Sequence, residues 1–231
     1  MPRVLLIEDD PGVGEGVRPA LRRQGHDVAT AGTGEEVLGL LRSFRPDVVV
    51  LDLMLPGTTG LEVCRRIRAD SQVPIIMVTA VGDDVDIVVG LETGADDYVV
   101  GPVRARVLEA RIRAVLRRLR AGPSPDGGAP AAETYGELRI DRAGLSVTRG
   151  DDAVPLAPSE LRLLLSLSAS PGRVFSRQQL LEAVWERDNH GDVRLVDACV
   201  RRLRTKLGEP PRHPRYIQTV RGFGYRFHSP R

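Results

Sequence analysis

Carboxylates stand where the apolar runs of the first half stop. "RVLLIEDD" closes Val4 to Ile7 with Glu8, Asp9 and Asp10, and "DVVVLDLMLPG" closes Val48 to Leu51 with Asp52. "MVTA" closes a third run with a hydroxyl, Thr79. One Asp shortly before a Pro-Gly pair needs no function, because it can cap a strand end or start a turn. Four carboxylates converging on one crevice are another matter, since they repel one another unless a cation sits among them. Hard oxygen ligands of this kind suit Mg²⁺, which takes a few carboxylates together with waters and a phosphate oxygen. A carboxylate beside such an ion can attack phosphorus and become an aspartyl phosphate.

That chemistry needs elements that bring the run ends together. "RVLLIE", "HDVATA", "DVVVLD", "PIIMVTA" and "DYVV" read as strands, and amphipathic stretches near residues 12–24, 34–44, 60–69, 83–93 and 103–119 read as helices between and after them. Five strands alternating with five helices predict an α/β doubly wound five-stranded parallel sheet. Its functional crevice lies at the carboxyl ends of the strands, where Glu8, Asp9, Asp52 and Thr79 fall.

At 231 residues the chain is long enough for two domains. "AGPSPDGGAPAAE", residues 121–133, is rich in Pro, Gly and Ala and lacks an apolar period, so it reads as a tether between residues 1–120 and 134–231. Charge divides along the same line. Residues 1–120 hold 16 Arg against 18 Asp or Glu, a net of −2, and residues 121–231 hold 17 Lys or Arg against 13, a net of +4. Residues 191–231 alone hold 10 against 3, which points to a polyanion for the second half or to a solvated charged face. No segment has the length of a bilayer span and the N-terminus lacks a signal-peptide layout, so a cytoplasmic protein is expected, with no membrane partner. Cys64 and Cys199 sit in apolar helical patterns at no metal-ligand or redox spacing, and read as buried free thiols.

The second half changes period. Residues 135–157 alternate in short stretches between turn signals, which predicts a small antiparallel sheet. Helices are expected over roughly 158–169, 176–186 and 192–207, the middle one opened by a capping box of Ser176 and Gln179. In "DVRLVDACVRRLRTKL" the residues Val196, Val200, Leu203 and Leu207 form a core stripe. Arg194, Arg201, Arg202 and Thr205 are expected on the opposite face, with Asp197 and Arg204 on its shoulder. "YIQTVRGFGYRF" follows as two strand-like pieces about a turn with Arg221 at its tip. A cationic helix for the major groove and a basic hairpin beside it make an α+β winged helix-turn-helix layout that binds double-stranded DNA. Aromatics are too few for a single-strand stacking platform, and Trp185, Phe175 and Phe223 are expected to fill the small core.

The motifs "IEDD", "VVVLDLMLPGTTG", "MVTA" and "GLETGADDYVVGP", in this order, resemble the receiver domain of two-component response regulators across residues 1–119. The resemblance implies that Asp52 is the phospho-acceptor, charged by a sensor histidine kinase. It makes Asp9 and the Met54 backbone carbonyl Mg²⁺ ligands and Glu8 an indirect acidic neighbour; Asp10 flanks them. Thr79 becomes the hydroxyl that meets the phosphoryl group and Tyr98 the aromatic switch. Receivers usually carry Lys just before the Pro of the fifth strand, and here that slot is Gly101. Arg104 is near in sequence, but its planar fork is no equivalent of an ammonium. Gly101 either weakens the coupling of phosphorylation to Thr79 and Tyr98 or only relaxes the loop before Pro102, whose peptide the resemblance makes cis.

The second half is similar to the effector domain of the OmpR/PhoB subfamily, through "FSRQQLLEAVW", "VRRLRTKL" and "TVRGFGYRF". By that resemblance Arg202 and Asp197 meet base edges, Arg194, Arg201 and Arg204 meet phosphates, and Arg221 enters the minor groove. "ERDNHGD" corresponds to a loop that contacts RNA polymerase. Ala157 stands where a capping Thr is usual and Leu195 where a hydroxyl often contacts phosphate. Receivers of this subfamily form homodimers on activation through salt bridges and an apolar patch. Asp96, Asp97, Arg111 and Arg118 would supply the ionic part, and Ile87 and Val107 stand where a charged pair is usual, favouring association less dependent on salt. The chain thus reads as a DNA-binding transcription regulator, not an enzyme, controlled through Asp52. The alternatives are the same regulator acting without phosphate and, remotely, an aspartyl phosphatase, which would need a second Asp where Met54 stands.

Overall fold

A computed structural model describes residues 1–9, 11–55, 57–79, 84–101, 104–120, 132–185, 192–210 and 212–230, with backbone alone at 11–15, 84–88 and 118–120. The chain divides into two compact units, Met1–Arg118 and Leu119–Arg231.

The first unit alternates strand and helix. In order it runs β1 (Arg3–Ile7), α1 (Pro11–Arg23), β2 (Asp27–Ala31), α2 (Gly34–Phe44), β3 (Val48–Asp52), a small hairpin of β4 (Met54–Leu55) and β5 (Thr58–Thr59), α3 (Gly60–Asp70), β6 (Ile75–Thr79), α4 (Asp84–Thr93), β7 (Asp97–Val100) and α5 (Ala105–Arg120). β1, β2, β3, β6 and β7 form one parallel sheet in the order β2-β1-β3-β6-β7. Val48 to Leu51 and Ile75 to Val78 are buried, as expected of strands covered on both faces. On one face Val4, Leu6, Val50 and Ile76 meet Val17 and Leu21 of α1 and Leu108, Ile112 and Val115 of α5 in one core cluster. The hairpin β4–β5 did not show in the apolar pattern, being only two residues per strand.

At the other end of the sheet Arg68 ties β6 and β7 to a helix. Arg68, in the last turn of α3, donates Nε to the Gly94 carbonyl at 3.0 Å, Nη1 to the Val73 carbonyl at 2.5 Å and Nη2 to Asp96 at 2.7 Å. The same Asp96 oxygen accepts the Ile75 N–H at 3.0 Å. One side chain thus joins α3, the start of β6 and the α4–β7 turn.

The second unit opens with an antiparallel sheet of β8 (Ala132–Tyr135), β9 (Leu138–Asp141), β10 (Ser146–Arg149) and β11 (Asp152–Ala153). Then come α6 (Pro158–Ser168), β12 (Val174–Phe175), α7 (Arg177–Trp185), α8 (Arg194–Lys206), β13 (Ile217–Val220) and β14 (Gly224–Phe227). The last sheet has the order β12-β14-β13. The capping box before α7 is reciprocal: the Gln179 N–H donates to Ser176 Oγ at 3.1 Å, and the Ser176 N–H donates to Gln179 Oε1 at 2.9 Å. Val196, Val200, Leu203 and Leu207 are buried as a stripe, as are Trp185 and both free thiols. Phe175 is half-buried, and Phe223 corrects the expectation of a core residue, with 71% of its surface exposed at the β13–β14 turn. Among the described residues no helix is long and apolar enough to cross a membrane.

Candidate acidic pocket and nucleic-acid interface

Strand register builds the acidic pocket. Ile7 lies opposite Leu51 in the β1–β3 pair, so Glu8 and Asp9 leave β1 beside Asp52 at the end of β3. The chain reverses direction across the sheet between these two strands, which places the crevice at the switch point. Glu8, Asp9 and Asp52 each present an oxygen within 4.8 Å of the others. Three hard oxygen donors at that spacing fit a Mg²⁺ ion, which would offset their repulsion. Asp52 is oriented by the Met54 N–H, which donates to its Oδ1 at 2.9 Å. On the other side Asp52 pairs with Val78 of β6, so buried Thr79 follows one residue beyond. Tyr98 on β7 is half-buried, and the Gly101 N–H donates to the Thr79 carbonyl at 2.6 Å. Arg104 is exposed. Asp10 and Pro102 lie outside the described residues.

One glycine permits this crowding. A Cβ at Gly60 would sit 2.1 Å from the Asp52 carbonyl oxygen and 2.8 Å from Leu53 Cα, while its N–H donates to the Leu53 carbonyl at 2.9 Å. Gly60→Ala is therefore expected to displace the acceptor segment, destabilise the first unit by about 1–3 kcal/mol and slow phosphoryl uptake. Calorimetry and a phosphorylation time course check this, and unchanged kinetics would refute it.

Within one chain the carboxylates expected on the dimer face are engaged internally. Asp96 is buried on Arg68, and Asp97, fully buried, pairs with Arg111 of its own chain at 3.4 Å and accepts the Tyr98 N–H at 2.8 Å. A strand-start carboxylate can reach the neighbouring helices as readily as solvent, and spacing alone does not tell which. Val107, at 43% exposure, and Val100, at 42%, remain as surface apolar groups. The side chains of Ile87 and Arg118 lie outside the described residues.

In the second unit α8 presents Asp197, Arg201 and Thr205 to solvent. Arg202, expected at base edges, points elsewhere. Adjacent helical residues are turned by about 100°, so Arg201 and Arg202 cannot share a face, and Arg202 lies beside Leu195 and Lys206. Its Nε donates to Glu160 of α6 at 2.9 Å, and Lys206, the chain's only lysine, donates to the other oxygen at 2.7 Å. Glu160 also accepts the Ala157 N–H at 2.8 Å, which gives the helix half a capping box despite the missing hydroxyl. Burial pushes the Glu160 carboxyl up, but Arg202, Lys206 and the Ala157 N–H outweigh it and hold it below the usual carboxylate range.

Arg204, expected at phosphate, instead donates Nε and Nη2 to the Ile217 carbonyl at 3.0 and 2.7 Å, and Nη2 to Thr219 Oγ1 at 2.9 Å. It clamps the hairpin to the helix. Asp197 accepts Arg177 Nε at 2.7 Å and the Tyr225 hydroxyl at 2.8 Å. Burial, and then the hydrogen bond to Asp197, push the Tyr225 phenol up to about 12. Arg177 and Arg204 lie over its ring at 5.0 and 5.7 Å. Arg194 forks onto Asp192, whose Oδ1 also accepts the Arg194 N–H. Arg221 is exposed at the hairpin tip. Arg68, Glu160, Arg177 and Tyr225 were not visible as functional or organising residues, because their side-chain partners lie 20 to 48 positions away. Residues 186–191, most of the expected polymerase loop, lie outside the described residues.

The comparisons with known proteins match both halves. Residues 4–113 match the response regulator receiver domain, and residues 151–227 match the C-terminal domain of transcriptional regulatory proteins. The transcriptional regulatory protein AfsQ1 of Streptomyces coelicolor is 56% identical over 230 residues, covering all of both chains. The DNA-binding response regulator MtrA of Mycobacterium tuberculosis is 43% identical over 99% of this chain and 97% of its own. The solved structure of the Thermotoga maritima OmpR/PhoB homologue DrrB is 34% identical, with a TM-score of 0.51 over 99% of each chain. With a receiver whose acidic cluster lies at the sheet's switch point and a winged helix domain following it in the sequence, the chain belongs to the OmpR/PhoB-type transcriptional response regulators.

Proposed function

We propose that this regulator binds specific duplex sequences and is controlled by phosphorylation of Asp52 by a partner histidine kinase. The observation that carries the reading is the convergence of Glu8, Asp9 and Asp52 within 4.8 Å, one residue's register from Thr79. Asp9, Asp52 and the Met54 carbonyl would hold Mg²⁺, with Glu8 acting indirectly; the ion supplies charge neutralisation at the phosphoryl oxygens. The Asp52 carboxylate attacks phosphorus as the bond to the kinase imidazole nitrogen breaks, and the Thr79 hydroxyl meets the transferred group. Tyr98, half-buried nearby, responds to Thr79. The phosphorylated receiver pairs with a second copy, aided by exposed Val100 and Val107. In the effector domain Arg201 and Arg194 serve phosphates, Asp197 serves base edges with Arg177 as its holder, and Arg221 enters the minor groove. The segment 186–192 serves as the contact for RNA polymerase.

Gly101 supports a second reading, in which the chain regulates without phosphate, because the ammonium that would pair with phosphoryl oxygens has no equivalent there. Mass spectrometry after acetyl phosphate and Mg²⁺ is expected to show one added phosphoryl group, absent in Asp52→Ala. An unmodified Asp52 under acetyl phosphate and kinase treatment alike would favour the second reading. Gly101→Lys is expected to raise the phosphorylation-dependent gain in DNA affinity by roughly tenfold, the scale of one added coupling contact, as read by binding titrations with and without acetyl phosphate.

A further inference from the structure

Phe223 is the most exposed large apolar side chain among the described residues of the second unit. Leu145 and Val174 are 39% and 37% exposed, whereas Phe223 is 71% exposed. Its place in the turn follows from the backbone. The Phe223 N–H donates to the Val220 carbonyl at 2.9 Å and closes the turn, with Gly222 between it and Arg221 at φ +77°. The next residue, Gly224, has φ +142°, and a Cβ there would lie 2.1 Å from the Phe175 carbonyl oxygen. The ring therefore stands on a tip whose base is packed against β12. Arg204 and the Tyr225–Asp197 bond fasten the same hairpin to α8. The hairpin that carries the tip is thus fastened to the helix.

Chemistry selects the occupant. Residues 217–227 include two arginines and no acidic residue, so the partner of this tip is anionic. An apolar ring beside a cation fits a minor groove, whose walls are the apolar faces of deoxyribose and whose rims are phosphates; apolar side chains are used in this way by minor-groove proteins. We propose that Phe223 is a minor-groove contact, its ring packed against the sugar walls beside the path of Arg221. This rests on the DNA-binding reading above and adds a salt-independent component to it.

The test uses the full chain and a duplex selected by it from a random pool, titrated at several salt concentrations. Phe223→Ala is expected to weaken binding by about tenfold, the scale of covering part of one aromatic side chain. The salt slope and the melting temperature should stay unchanged, and Phe223→Leu should recover most of the affinity. Arg221→Ala should instead flatten the slope by about one unit. Replacing adenine by 2,6-diaminopurine under the hairpin adds an amino group to the minor groove alone; it obstructs Arg221 in both proteins, so it should weaken the wild type more than Phe223→Ala, and an equal loss in the two counts against the ring contact. Equal affinity of wild type and Phe223→Ala overturns the proposal, as does a changed salt slope. Lost self-association with intact DNA binding would assign the ring to a protein contact instead. A wild-type chain that selects no duplex would overturn the DNA-binding reading and this proposal together.

Discussion

Glu160→Gln is expected to destabilise the DNA-binding domain by about 3 kcal/mol, a melting shift on the order of 15 °C for a domain of this size. Glu160 is 1% exposed and answers two cations, Arg202 and Lys206, besides the Ala157 N–H. The amide keeps the shape and the Ala157 contact but removes the charge, and Arg202, with a side chain only 10% exposed, is left in a poorly hydrated place. Lys206 is 26% exposed and can turn to water, so the lower end of the range for a broken buried pair applies. The pH dependence has a definite sign. The folded carboxyl lies below its unfolded value of 4.5, so its contribution is complete above that pH. It is then lost as pH falls through the lower folded value. Glu209, which burial pushes upward, acts in the opposite direction. The difference between wild type and Glu160→Gln isolates the effect, and it should shrink steadily on acidification below 4.5. Arg202→Ala should likewise lower stability while leaving base preference intact; relaxed preference in a fully folded variant would return Arg202 to the reading face.

Arg68→Ala is expected to destabilise the receiver by about 3–5 kcal/mol, a large share of the roughly 5–15 kcal/mol typical of a whole domain. The substitution deprives buried Asp96 of its cation and removes the donors to the Gly94 and Val73 carbonyls. Gly94 lies against the Arg68 side chain, so a cavity opens as well. The chain offers a clean control. Trp185, its only tryptophan, is buried in the other unit and reports that unit alone. Urea titration followed by circular dichroism should show an early receiver transition, while the tryptophan transition stays in place. Coincident, unshifted transitions would show that Arg68 is not the anchor of α3, β6 and β7.

The alternating apolar runs carried the receiver's architecture in plain view, because a strand covered on both faces must be apolar throughout and a helix over it must be apolar on one side. The ends of those runs are then the ends of the strands. Parallel pairing aligns them at one edge, which is why Asp9, Asp52 and Thr79 were legible as one site. The period of α8 was equally legible in its buried stripe. Its polar side was not, because periodicity tells which residues leave the core and says nothing of what they meet on leaving it.

Arg202 and Arg204 show the difference. Both are cations off the core stripe, yet one is drawn to Glu160, 42 positions earlier, and the other to a carbonyl 13 positions later. Asp96 and Asp97 repeat the lesson at the start of β7. Phe223 inverts it: an aromatic is apolar wherever it stands, but a turn closed between two glycines of positive φ projects it into solvent. Local sequence determined the strands, the helices and the acidic pocket, because those follow from burial period and strand alignment. The tertiary structure decided which charges face a ligand and which are consumed inside, because an ion pair is a property of two distant segments brought within about 3 Å of each other.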